Sequence, residues 1–322
     1  MVKILITGGA GFIGSHLSQE LLALNHSVVV LDDLSTGSTA NIDGIKSHPD
    51  FEFVQGSMLD ATLVRSLMEK VDGCMHLGAA LGVQRILERP YESLVANTQG
   101  TEIAVSAAAE LGKRFFLAST SELYGKNPQQ PLNEDSDRVI GSPQLVWWAY
   151  SEAKAIDESV LQMFHMSHGL KFVTGRFFNT VGPRQSGAYG MVLPRFVSAA
   201  IAHQPLRVYG DGSQSRVFCH VSDAVQGVLK IFFDDKALGH AFNIGGEEEV
   251  TMTELAERVI AVTNSASTIE YVPYSEAYPP GFEETMRRVP DTTKLRKTTG
   301  WKPAYSLEGI IQDIEKYLRA SR

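Results

Sequence analysis

Tyr150 and Lys154 stand four residues apart, and on a helix that spacing stacks two side chains on one face. An ammonium beside a phenol stabilises the phenolate and lowers its pKa from about 10 toward working pH. The pair is therefore a candidate proton abstractor, and the same ammonium can hold a ribose. An ordinary exposed pair has the same spacing, so its company decides the reading. Thr7-Gly8-Gly9-Ala10-Gly11-Phe12-Ile13-Gly14 has the glycine spacing of a dinucleotide cradle. Ser119-Thr120-Ser121-Glu122-Leu123-Tyr124-Gly125 adds hydroxyls and a carboxylate at an expected strand end. Thr120 can share a short proton path with Tyr150, and Glu122 offers an acid that hydride abstraction alone does not need.

The elements that must hold these residues follow from the apolar pattern. Val2-Lys3-Ile4-Leu5-Ile6 reads as a buried parallel strand, and Phe12, Ile13, Leu17, Leu21, Leu22 and Leu24 recur at helical spacing. The glycines thus occupy a strand-to-helix turn. Gly8 allows the bend, Gly11 admits a pyrophosphate to the backbone amides, and Gly14 lets the helix approach the strand. A second run, Ser27-Val28-Val29-Val30-Leu31, ends in Asp32-Asp33, where an acid accepts from a ribose diol. That carboxylate repels a 2′-phosphate, which favours NAD over NADP. Asp60, after the strand Phe51-Glu52-Phe53-Val54, is placed to meet the adenine amino group or to cap the following helix. Gly73 to Ala80 and Arg114 to Ser119 read as strands four and five. The alternation is that of a doubly wound sheet. His76 falls inside an apolar run and reads as a packed core histidine without chemistry.

With 322 residues, 43% of them apolar and 20% charged, the chain can bury a large core. The expected architecture is α/β: a Rossmann-type doubly wound parallel sheet with a smaller, interleaved C-terminal substrate-binding cap. The nucleotide domain is expected over 1–180, with a returning segment near 217–246, and the cap over 181–216 and 247–322. Turn-rich stretches at 187–190, 209–213 and 278–281 mark loops. A net charge of −8 gives no general attraction to nucleic acid. The short N-terminal apolar run reads as a strand, with neither signal peptide nor membrane span indicated. Cys74 and Cys219, each in an apolar run, read as reduced thiols and not as a zinc site, so a cytoplasmic enzyme is expected.

Together with Asn179-x-x-Gly182-Pro183-Arg184 and Arg216-Val217-Phe218-x-His220-Val221-x-Asp223, these motifs resemble the extended short-chain dehydrogenase/reductases that act on nucleotide sugars. The likeness runs over nearly the whole chain. It implies NAD retained through the cycle, reduced and reoxidised at sugar C4 with no net redox. It also implies cofactor contacts from Gly8, Gly11, Phe12, Ile13, Gly14, Asp32, Asp33, Asp60, Leu77, Ala79, Asn97, Ser119, Tyr150 and Lys154. Thr120, Ser121, Glu122, Tyr150, Lys154 and Arg216 are the implied catalytic set. Asn179, Leu193, Phe196, Arg216 and Arg288 are the implied substrate contacts, with arginines suited to bidentate diphosphate binding.

Simple 4-epimerases of this family usually carry a small or hydroxyl residue where Glu122 stands, whereas 4,6-dehydratases and UDP-glucuronate decarboxylases carry glutamate. The run Ala118 to Lys126 is similar to GDP-mannose 4,6-dehydratases, which generally use NADP. Val139 to Ser151 resembles the approach to the tyrosine in UDP-glucuronate decarboxylases, with Trp147 where an arginine is common. The leading expectation is decarboxylation of UDP-glucuronate through a 4-keto intermediate. The alternatives are an NDP-hexose 4,6-dehydratase and then an NDP-sugar 4-epimerase. A UDP-sugar is the favoured substrate. A homodimer is expected through the helix that carries Ala155, Val160, Leu161 and Phe164, although an internal helix would show the same stripe.

Overall fold

The computed structural model describes residues 1–79, 90–187, 191–278 and 282–320. Ala80 and the loop positions 188–190 and 279–281 lie outside the described residues.

The first half alternates strand and helix. Strands β1 (Lys3–Thr7), β2 (Ser27–Asp32), β3 (Phe51–Gln55), β4 (Gly73–His76), β5 (Arg114–Thr120) and β6 (Phe172–Phe177) are separated by helices that include Phe12–Ala23, Ala61–Met68, Pro90–Glu110 and Ala149–His168. The second half adds β7 (Thr180–Val181), β8 (Leu206–Tyr209), β9 (Ser215–Val217), β10 (Cys219–His220), β11 (His240–Ile244), β12 (Glu249–Thr251), β13 (Ile269–Val272) and β14 (Arg287–Arg288).

Seven strands form one sheet in the order β11-β6-β5-β4-β1-β2-β3, every pair parallel. Parallel sheets are covered on both faces, so their strands read as continuous apolar runs. Here Ile4, Ile6, Val28 and Val30 face one core with Leu17, Leu21, Val225 and Val228. Leu5, Val29 and Leu31 face the other with Val64, Val105 and Leu161. The strand order reverses between β1 and β4, and ligand crevices of open α/β sheets form beyond the carboxyl ends at such a point.

After β6 the chain leaves the sheet, builds part of the cap, and returns as β11 against β6. The cap has its own core, where helices Val192–Ile201, Met252–Val262 and Leu307–Ala320 contribute Leu193, Phe196, Leu255, Val259, Ile310 and Ile311. Leu295 and Trp301, in a stretch expected for the cap, pack instead in the core of the large sheet. The Trp301 indole anchors there by donating to Asp223 O at 2.9 Å.

One expected surface is internal. Leu161 is fully buried, and Val160 and Phe164 pack on the same core. The outward face of that helix carries Ile156, Met163 and Met166, 48%, 64% and 79% exposed.

Candidate active site

The turn after β1 is shaped by close backbone approaches. Gly8 has φ +70°, and a Cβ there would lie 2.7 Å from Gly78 N, in the turn after β4. At Gly14 a Cβ would lie 2.4 Å from Gly8 O. The Phe12–Ala23 helix begins at Gly11 with no side-chain cap and no acidic residue in its first turn. Its leading amides are therefore left for an external anion.

Beside them runs a cleft of about 130 Å³ lined by Gly8, Gly11, Asp32, Asp33, Leu77 and Ala79, and also by Gly56, Met58, Leu59 and Gly78. Asp32, 7% exposed, accepts from Ala10 N at 2.9 Å and from Leu34 N at 2.8 Å. Desolvation pushes its pKa up, against those two hydrogen bonds. A buried acid at this end fits a ribose diol, and its charge repels a 2′-phosphate. Asp33 accepts from Ser35 N at 2.8 Å. The glycine cradle, open helix terminus and acid thus fit a dinucleotide.

Other expected cofactor residues are engaged within the protein. Asp60 does not line this cleft: its carboxylate caps the Ala61–Met68 helix, accepting from Leu63 N at 3.0 Å. Asn97 is 1% exposed, and its carbonyl accepts from Thr101 Oγ1. Ser119 donates to Glu158 Oε1 at 2.5 Å, and Glu158 holds Arg176. Phe12 and Ile13 are half-buried against the sheet core.

The Ala149–His168 helix carries Tyr150 and Lys154 one turn apart. Desolvation, then the charges of Glu122 and Asp157, push the Tyr150 phenol well above its ordinary pKa. Lys154 is 2% exposed, with Nζ 3.1 Å from Asp157 Oδ2. The turn after β5 lies against this helix, because Ser151 Oγ donates to Glu122 O at 2.9 Å. Thr120 Oγ1 accepts from Glu122 N at 3.2 Å, so its own hydrogen remains available. Ser121 is buried under the turn.

Glu122 opens into a larger cavity, about 390 Å³, that also receives Asn179, Leu193, Phe196, Arg216 and Arg288. Leu193 and Phe196 belong equally to the cap core. Arg216 on β9 and Arg288 on β14 are register partners, which sets two guanidinium groups side by side. Arg288 Nη2 donates to Asn179 Oδ1 at 3.1 Å, Nη1 lies 3.8 Å from Glu122 Oε1, and Nε is buried without a partner among the described residues. Desolvation, then the charge of Arg216, lowers Arg288 to about 10. An orphaned guanidinium donor beside a second arginine is the donor set a diphosphate or carboxylate requires.

Sequence reasoning missed the groups that answer these. Glu284 takes Arg216 Nη2 at 2.5 Å, from 68 residues away. Tyr278 and Phe282 stack at 3.8 Å and, with Trp147, wall the cavity. The aromatic content of 278–282 was a usable signal; the Arg216–Glu284 pairing had none. No group of three or more metal-ligating side chains occurs among the described residues.

This fold and site define a dinucleotide-dependent, nucleotide-sugar-modifying enzyme of the extended short-chain dehydrogenase/reductase class. Within it the chain belongs to the family described as GDP-mannose 4,6 dehydratase, whose model matches residues 5–314. It is 37% identical to a UDP-N-acetyl-alpha-D-glucosaminuronate decarboxylase of Bacillus cytotoxicus, over 98% of each chain. It is 34% identical to UDP-glucuronic acid decarboxylase 1 of Arabidopsis thaliana, over 98% of this chain and 70% of that one. Among solved structures it is similar to a UDP-glucuronic acid 4-epimerase from Bacillus cereus in complex with UDP-glucuronic acid and NAD. That likeness has a TM-score of 0.89 and 26% identity, covering 99% of this chain and 100% of the other.

Proposed function

We propose that this enzyme removes carbon dioxide from a UDP-linked hexuronate, UDP-glucuronate being the reference substrate, through transient oxidation at C4. The observation that carries the reading is Glu122, which opens into the substrate cavity 3.8 Å from Arg288. A plain 4-epimerisation has no use for that acid, and the relatives named above as decarboxylases match nearly the whole chain.

NAD, when bound, supplies a cationic ring and a hydride acceptor at C4, and gives the hydride back. Gly8, Gly11 and Gly14 with the helix terminus at Phe12 and Ile13 would hold its pyrophosphate, Asp32 and Asp33 its adenosine ribose, and Lys154 its other ribose. Leu77 and Ala79 would flank it. Tyr150 takes the O4 proton while Thr120 donates its free hydrogen to the same oxygen. Desolvation and two carboxylates hold Tyr150 as a phenol in the ligand-free protein, so this step depends on positive charge at the site, which Lys154 supplies. The C4 ketone is β to the C6 carboxylate. When the C5–C6 bond breaks, its electron pair passes to O4 and carbon dioxide departs. Thr120 and Ser121 stabilise that oxyanion. Glu122 and Arg216 orient the carboxylate and manage protonation at C5, with the substrate displacing Glu284 from Arg216. Asn179 and Arg288 grip the diphosphate, and Leu193 and Phe196 line the base.

Incubation with UDP-glucuronate, and separately with its 2-acetamido counterpart, checks the reading by product mass. Loss of one carbon dioxide without net NADH is expected. An isobaric product would make the enzyme an epimerase, and loss of water from a neutral NDP-hexose would make it a dehydratase. The free, buried thiols of Cys74 and Cys219 fit a reducing, cytoplasmic setting. We further propose a homodimer through the exposed face of Ile156, Met163 and Met166.

A further inference from the structure

Below the Ala149–His168 helix runs a buried polar chain that the reaction just outlined does not use. Asp157 is 1% exposed, and Lys154 is its cation. A carboxylate in such surroundings persists only where donors replace its water. The Thr101 hydroxyl lowers the pKa of this carboxylate, against the desolvation that raises it. From there the contacts continue: Thr101 Oγ1 lies 3.3 Å from His76 Nε2, and His76 Nδ1 lies 2.8 Å from Thr7 Oγ1. Thr7 Oγ1 in turn accepts from Gly78 N at 3.2 Å. The chain therefore begins at a residue lining the dinucleotide cleft and ends at the Tyr150–Lys154 helix.

The hydrogens of this chain can run in one direction. Gly78 N–H can only donate to Thr7, whose hydroxyl can pass its own hydrogen to His76 Nδ1. Burial lowers His76 to about 3, so the ring is neutral with a single N–H, which in that arrangement sits on Nε2 and points at Thr101 Oγ1. Thr101 in turn donates to the Asn97 carbonyl at 2.9 Å, and hydrogen bonds aligned in series polarise one another. The Asp157 carboxylate stands beside this chain with Lys154 as its hydrogen-bonded cation.

We propose that Asp157 is a positioning residue: its buried carboxylate, beside Thr101, fixes the Lys154 ammonium and offsets its charge, and so sets the pH at which Tyr150 releases its proton. The proposal rests on the acid–base role given to Tyr150 and Lys154. The charged groups facing Tyr150 are Glu122 and Asp157, Lys154 stands one turn along the same helix, and Lys154 and Glu158 face Asp157. Removing the Asp157 charge abolishes its direct repulsion of phenolate and unmasks Lys154, and both changes lower the Tyr150 pKa.

The test is Asp157→Asn, nearly the same in volume. The acid limb of its kcat pH profile is expected to move down by about one unit or more. The ultraviolet phenolate signal, isolated by subtracting Tyr150→Phe, should also appear at lower pH than in the unmodified enzyme. Thr101→Val, which makes Asp157 easier to protonate, should shift both readouts the same way by less, and should add nothing in the Asp157→Asn background. An unmoved limb and unmoved titration in Asp157→Asn overturn the proposal. So does a Thr101→Val shift that persists without the carboxylate. If Tyr150→Phe still turns over, the acid–base reading itself has failed; if it is inactive while Asp157→Asn titrates unchanged, only this inference has.

Discussion

Single side chains decide the chemistry here, and their environments decide which of them can act. Tyr150 and Glu122 share the site but are set by different surroundings: the phenol is desolvated, whereas the Glu122 side chain is 47% exposed. Tyr150→Phe removes the one group placed to take the O4 proton and leaves the glycine cleft untouched. Turnover should fall about 100- to 10,000-fold, while NAD, followed by fluorescence quenching, binds as before. Near-normal turnover would mean that another group is the base. Tyr150, Lys154 and Glu122 were legible because short spacings and a strand end carry them. Their neighbours were not: His76 read as plain core, and it is buried, but its hydrogen bonds reach Thr7 and Thr101 across 69 and 25 residues. Spacing within one element carries no record of such contacts.

Among the elements, the turn between β1 and the Phe12–Ala23 helix bears the most constraint. Its glycines were readable because each answers a local demand, a positive φ at Gly8 and a close approach at Gly14. The register of β9 with β14, which pairs Arg216 with Arg288, was hidden because both strands are too short to leave a periodic pattern. Asp60 takes the capping place that was one of its two expected roles, since a carboxylate at a helix start satisfies the nearest amide first. Gly14→Ala tests the turn. Its Cβ would meet Gly8 O and Gly9 Cα, both backbone atoms that cannot swing aside. The cost should be about 1–3 kcal/mol of stability, read by thermal unfolding, and NAD affinity should weaken about tenfold or more. A variant with unaltered affinity would show that the cradle yields without loss.

At the scale of the whole molecule, the interleaving of sheet and cap follows from β11, which returns to β6 after a long excursion and ties the two cores together. The alternation of the first half predicts such a sheet, but which later segment would rejoin it depends on pairing across the chain. The surface offers a matching argument about assembly. Val160, Leu161 and Phe164 are used internally, so any pairing through this helix must use its other side. Ile156, Met163 and Met166 present an apolar stripe to solvent there, and contiguous apolar surface on a folded chain marks an interaction site. Pairing with a second copy by two-fold symmetry would make the stripe self-complementary. The protein is therefore expected to elute as a dimer. Met163→Glu combined with Met166→Glu should convert it to a monomer with little change in the fold, because both side chains already face water. A monomeric elution of the unmodified protein at every concentration, or a dimer that survives both charges, would place the interface elsewhere or remove it.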